Sequence, residues 1–105
     1  TVATDRETVV GWGMPDYTAE VNLGEPSTYQ TLPCDCLVTY SRDSGTSTDN
    51  AGFYYANEDE SFVREFRQAL DFYRKGLGLF ISKGWKVKAL NSASTIFYYP
   101  LKGVN

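Results

Sequence analysis

The stretch Ser61-Phe62-Val63-Arg64-Glu65-Phe66-Arg67-Gln68-Ala69-Leu70-Asp71-Phe72-Tyr73-Arg74-Lys75-Gly76 decides the fold, because it admits two readings. Phe62, Phe66, Ala69, Leu70 and Tyr73 fall at i, i+4, i+7, i+8 and i+11, the spacing of an amphipathic helix. Arg74 and Lys75 would complement the C-terminal end of its dipole, and Gly76 would stop it. The same residues also form two strands: Phe62, Arg64 and Phe66 alternate before a Gln68-Ala69 turn, and Leu70, Phe72 and Arg74 alternate after it. Taken alone, the pattern favours the helix. One outcome is an all-β sandwich; the other is an α+β protein with a helix at about 61–75 packed on an antiparallel sheet.

The sequence on both sides is strand-like. Downstream, GLGLFIS (76–82), WKVKAL (85–90) and STIFYYPL (94–101) are separated by Lys83-Gly84 and Asn91-Ser92, the spacing of sandwiches and barrels. In WKVKAL, Trp85, Val87 and Ala89 face one side and Lys86, Lys88 and Leu90 the other, so the second face is expected to be largely solvated. Upstream, AGFYYAN (51–57) reads as a strand. So do Asp35–Ser41, the short run Thr28–Leu32, and Tyr17–Leu23, where Tyr17, Ala19, Val21 and Leu23 alternate. RDSGTSTDN (42–50) is the most polar stretch and reads as a loop. Residues 1–16 form a lead-in segment, partly ordered by Trp12, ahead of a single domain over 17–105.

Length and composition limit the function. A chain of 105 residues makes one domain, and 42% apolar with 22% charged residues is a globular composition. No apolar run approaches the ~20 residues a membrane-spanning helix needs, so no membrane insertion is expected. The opening TVATDRETVV has neither a basic start nor an apolar signal core, so the chain reads as a processed form or a fragment. The absence of histidine removes the commonest general base and zinc ligand. A net charge of −3 argues against a nucleic-acid partner. Residues 1–60 hold 11 acids and 2 bases, whereas residues 61–105 hold 2 acids and 8 bases. Complementary faces within one fold or between protomers are the ordinary reading, and a basic binding patch of Arg64, Arg67, Arg74 and Lys75 the sharper one.

Few residues suggest chemistry. Cys34 and Cys36 would point to the same face of a strand with Cα atoms about 6.6–6.8 Å apart, the limit of disulfide geometry, so free thiols are expected. Metal binding by these two lacks further soft ligands. The acids Glu58, Asp59 and Glu60 read as a solvated turn rather than a hydrolytic pair. Asp43, Asp49 and Asn50 supply oxygens without the spacing of a calcium loop. GLG at Gly76–Gly78 lacks a dinucleotide fingerprint, and no cofactor is expected. The pairs Tyr54-Tyr55 and Tyr98-Tyr99 would each send one ring outward, into recognition or into a subunit interface.

Several short motifs carry a family resemblance. Trp12, Pro15-Asp16-Tyr17, Leu32-Pro33-Cys34-Asp35, Ile81-Ser82-Lys83-Gly84 and Tyr99-Pro100-Leu101-Lys102-Gly103 occur in an order that resembles the C-terminal domains of bacteriophage tail or head fibre proteins. These are small jelly rolls of the complement and tumour-necrosis-factor type. Cys36 stands where the family's first turn has glycine, and Trp85 where the second has aspartate. The resemblance implies a small antiparallel jelly-roll sandwich, and so strands rather than helix over 61–75, because a jelly roll needs about eight. It further implies a homotrimer located on the virion, with no enzymatic activity, that binds a glycan or protein of the host surface. Candidate contact loops are Ser41–Asn50 and Asn57–Glu60, with Arg42, Asp43, Thr46, Asp49, Asn50, Tyr54 and Asn57 as candidate receptor-contact residues. The rival readings are a structural virion decoration or fibre-assembly protein, and a small α+β inhibitor or interaction protein.

Overall fold

The computed structural model describes residues 13–42, 50–69 and 75–103. They form eight strands: β1 (Val21–Gly24), β2 (Gln30–Thr31), β3 (Cys36–Arg42), β4 (Asn50–Ala56), β5 (Val63–Ala69), β6 (Leu79–Ile81), β7 (Lys86–Ala89) and β8 (Ser94–Pro100). No helix occurs among the described residues. The strands pair as two four-stranded antiparallel sheets, ordered β1-β8-β3-β6 and β2-β7-β4-β5. The pairing is nested: β4 with β5, then β3 with β6, β2 with β7, and β1 with β8. One long hairpin rolled so that alternate pairs fall in opposite sheets produces this order, which is that of a jelly roll.

The deciding stretch is a strand over 63–69. β5 pairs with β4 along its whole length, from Ala56↔Val63 to Asn50↔Ala69. Phe66 enters the sandwich and stacks on Phe53 at 5.3 Å between ring centroids. Gln68 turns inward beside it, where its Oε1 accepts from the Tyr40 hydroxyl at 2.6 Å and from the Leu77 amide at 2.8 Å. Glu65 and Arg67, on the opposite face, pair at 2.8 Å. A period of two therefore satisfies both faces, and the ladder to β4 overrides helix propensity. The helix reading of 61–75, and the α+β inhibitor that depended on it, are corrected accordingly. The expected Gln68-Ala69 turn is also corrected, since both residues lie inside β5; Leu70, Phe72 and Arg74 lie outside the described residues.

The core is aromatic at its centre. Tyr40, Phe53, Leu32, Ile96, Val38 and Val87 are fully buried. Tyr40 meets Phe53 and Phe66 edge-on at 5.9 and 6.0 Å, and burial pushes its phenol up to about 12. Both cysteines are free; Cys36 is buried and its thiol is pushed up to about 12, chiefly by desolvation.

Two further expectations need correction. The strand expected from Tyr17 begins only at Val21. The Asp16 carboxylate accepts from the Thr18 amide at 3.1 Å and its hydroxyl at 2.6 Å, closing a turn that diverts Tyr17–Ala19. Lys86 and Lys88 do not lie on an open solvated face: Lys86 pairs with Glu60 at 3.1 Å, and Lys88 is half-buried against tyrosine rings. Residues 13–16, placed by the sequence in the lead-in segment, are bonded to the end of the last strand through Asp16 to Pro100 and to the turn after it through Gly13 to Lys102. Trp12 lies outside the described residues.

The uneven charge distribution is used inside the fold. Lys75–Glu20 and Lys86–Glu60 each join a base of the second part to an acid of the first. Arg64 lies over the Phe62 ring at 4.2 Å and Arg67 pairs with Glu65, so Arg64, Arg67 and Lys75 do not form a shared basic patch; Arg74 lies outside the described residues. On the outer face of the β1-β8-β3-β6 sheet, Glu20 accepts from the Tyr99 hydroxyl and from Lys75 Nζ, which together hold its carboxyl below the ordinary 4.5. The Tyr99 and Glu20 bonds raise Lys75 above 10.5, and burial raises Tyr99 above 10.0. The stability Glu20 contributes is therefore present above pH 4.5 and lost as pH falls through its lowered value; that of Lys75 and Tyr99 is present below about 10 and lost above it. Chemical denaturation of Glu20→Gln beside the unmodified protein should show a stability difference at pH 7 that narrows below pH 4.5. A difference independent of pH would contradict this network.

Candidate functional site

The connections of a rolled hairpin alternate between the two ends of the sandwich. Among the described connections, β1–β2 and β7–β8 meet at one end, and β2–β3, β4–β5 and β6–β7 lie at the other. At the first end, against the outer face of the β2-β7-β4-β5 sheet, lies an open groove of about 410 Å³. Its sheet side is formed by Tyr54 of β4 with Lys88 and Ala89 of β7; its loops supply Glu25, Pro26 and Ser27 from one side and Leu90, Asn91 and Ser92 from the other.

Each part has a structural reason for its position. Tyr54 and Lys88 stand directly opposite each other in the β4–β7 ladder and share its outer face. The Lys88 ammonium lies over the rings of Tyr54, at 5.3 Å, and Tyr29, at 4.9 Å. The Tyr29 phenol is raised, first by burial and then by the negative charge of Glu60. The Ala89 amide donates to the Pro26 carbonyl at 2.9 Å and docks the β1–β2 loop on the sheet. Asn91 braces the other loop, because its Nδ2 donates to the Asn50 carbonyl at 3.1 Å and its Oδ1 accepts from the Ala93 amide and the Ser94 hydroxyl, both at 3.0 Å. Asn91 is thus spent on holding the loop. Tyr54, Lys88, Ser27 and Ser92 remain to meet a ligand.

The candidate residues read from the sequence do not converge. Asp43, Thr46 and Asp49 lie outside the described residues. Arg42 continues the inward series Cys36, Val38, Tyr40 and is 6% exposed, so its guanidinium is not displayed. Asn57 is committed to the β4–β5 turn, with Nδ2 donating to Ser61 Oγ at 2.8 Å and Oδ1 accepting from the Phe62 amide at 3.0 Å. Asn50 and Asn57 stand at opposite ends of β4, separated by about 23 Å at ~3.3 Å per residue, so the two proposed loops do not share one footprint. Tyr54 is at the groove, and Asn50 is tied to its rim through Asn91. Of the adjacent tyrosines, Tyr54 faces outward as expected, but Tyr99 is buried on its outer face beneath Lys75 and Tyr17.

Sequence reasoning did not single out Lys88, Tyr29, Ser27 or Ser92. The alternation of WKVKAL does place Lys88 on an outer face, but only the β4–β7 pairing brings it to Tyr54. Among the described residues, no group of three or more cysteine, aspartate or glutamate side chains is arranged to hold a metal ion. No protein-family model, no curated protein and no solved structure matches the chain.

Proposed function

We propose that the chain is a non-enzymatic host-binding module of a bacteriophage tail or head fibre, carried on the virion as a homotrimer, which engages a glycan or protein of the host surface at the end that holds the groove. The groove is the observation that supports binding: it is concave, sided by an aromatic ring and a cation, and framed by loops that hydrogen bonds hold to a rigid sheet. The strand order lends further support, since jelly rolls serve as viral capsid and lectin domains. The fibre assignment rests on the order of short motifs from Pro15-Asp16-Tyr17 to Tyr99-Pro100-Leu101-Lys102-Gly103.

Self-association is supported by the other sheet. Phe80, Leu37 and Tyr99 lie side by side on its outer face, with Phe80 64% exposed; Tyr17, against Tyr99, is 63% exposed and Leu77 69%. A domain of this size gains stability by covering such a face. Sedimentation equilibrium at micromolar concentration should give a trimer, and a monomer would remove that element. The same apolar face also favours the second reading, a structural virion component. Fluorescently labelled protein applied to a panel of bacterial cells separates the two: saturable binding to at least one host, competed by unlabelled protein, is expected, and failure to bind any favours the structural role.

A further inference from the structure

We infer that the groove takes an acidic saccharide, with the anionic group held by Lys88 and the sugar ring laid against Tyr54. This deepens the host-binding reading and rests on it.

Lys88 carries the inference. The other two lysines that cross a sheet face are neutralised, Lys75 by Glu20 and Lys86 by Glu60. Lys88 has no carboxylate partner among the described residues; its ammonium contacts the rings of Tyr29 and Tyr54 alone. Glu25, also at the groove, already has an interaction of its own. Lys88 therefore brings to the groove a cation that no described carboxylate pairs with, beside the Glu25 carboxylate on the loop. Two rings hold that ammonium in place before anything binds, so little side-chain freedom remains to be lost. Lys88 is half-buried, and an anion reaching it would pair in a setting less screened than open surface.

The remaining groups fit a sugar. Tyr54 offers a rigid ring for the apolar C–H face of a pyranose, and Ser27 and Ser92 offer hydroxyls that both donate and accept. Size separates a saccharide from a protein partner. About 410 Å³ falls in the ~300–1,000 Å³ range of small-ligand sites, whereas a protein partner covers ~800 Å² of each surface.

The test uses an array of uronic-acid, sialic-acid, sulfated and phosphorylated saccharides printed beside neutral ones, probed with the labelled protein and with Lys88→Gln, Tyr54→Phe and Tyr54→Ala. Thermal melts first establish which variants fold. The unmodified chain should bind acidic members; Lys88→Gln should weaken this about tenfold or more, Tyr54→Ala similarly, and Tyr54→Phe little. Which acidic members bind distinguishes carboxylate from sulfate or phosphate. Binding confined to neutral saccharides, or acidic binding unchanged in Lys88→Gln, overturns the inference. If no saccharide binds while the labelled protein still binds bacterial cells, the inference fails and the host-binding reading stands; if neither binds, both fail.

Discussion

Phe53→Ala is expected to destabilise the protein by about 3–5 kcal/mol and to lower its melting temperature by roughly 15 °C or more. Phe53 is fully buried at the point where the sheets meet. Its ring stacks on Phe66 at 5.3 Å, meets Tyr40 edge-on at 5.9 Å and Tyr55 at 6.2 Å, and so touches three aromatic neighbours from two sheets. Removing it leaves a cavity that rigid rings on three sides cannot collapse to fill. Against a total stability of about 5–15 kcal/mol, that loss is large. Val63→Ala is the control, because Val63 is 40% exposed and lies in the sheet opposite the proposed self-association face, so its removal should change stability by about 1 kcal/mol or less. Thermal melts of the two variants at equal concentration decide the matter, and equal losses would mean that Phe53 is not central to the core.

Gly52→Ala is expected to cost about 3 kcal/mol or more through a different cause. A Cβ at Gly52 would stand 2.1 Å from the Phe66 carbonyl oxygen and 2.7 Å from the Arg67 Cα, both backbone atoms of the neighbouring strand. Neither can rotate away, so β4 and β5 must part at the point where Phe66 enters the core. Gly52 is held on its other side as well: its amide donates to Ser94 Oγ at 2.9 Å and its carbonyl accepts from the Leu90 amide at 3.0 Å. Relief by shifting β4 would break those bonds and disturb the loop that frames the groove. Denaturant titration should show the loss, and amide exchange should rise first along Val63–Ala69. Unchanged protection in β5 would contradict this packing.

Much of the fold was legible because alternation is local. WKVKAL sets Val87 on the face opposite its lysines, and the structure buries it, whereas STIFYYPL is apolar from Ile96 to Tyr99 and announces a strand without saying which side faces inward. The stretch 61–76 was not decidable locally, since Phe66 and Gln68 reveal their common face only when Phe53 and Tyr40 are brought against them. Tyr17 misled for a local reason, an aspartate at position 16 whose side chain captures Thr18. Arg42 shows a signal present but not followed: the series Cys36, Val38, Tyr40 already pointed it inward, although its polar neighbours suggested a loop. The groove was the least legible part. Tyr54 could be read as an outward ring, but its meeting with Lys88 depends on β4 lying between β5 and β7, and the approach of Ser27 depends on a loop docked through Ala89. These are consequences of rolling the hairpin, and no window of sequence contains them.

We propose above that the chain binds its host at the groove end of the sandwich. The most direct test is amide-shift mapping by nuclear magnetic resonance during titration with soluble surface polysaccharide released from a bacterium that the labelled protein binds. Shifts centred on Ser27, Tyr54 and Leu90–Ser92 are expected, with the β4–β5 turn at Asn57–Phe62 unaffected. Shifts confined to that turn, at the opposite end of the sandwich, would contradict the claim.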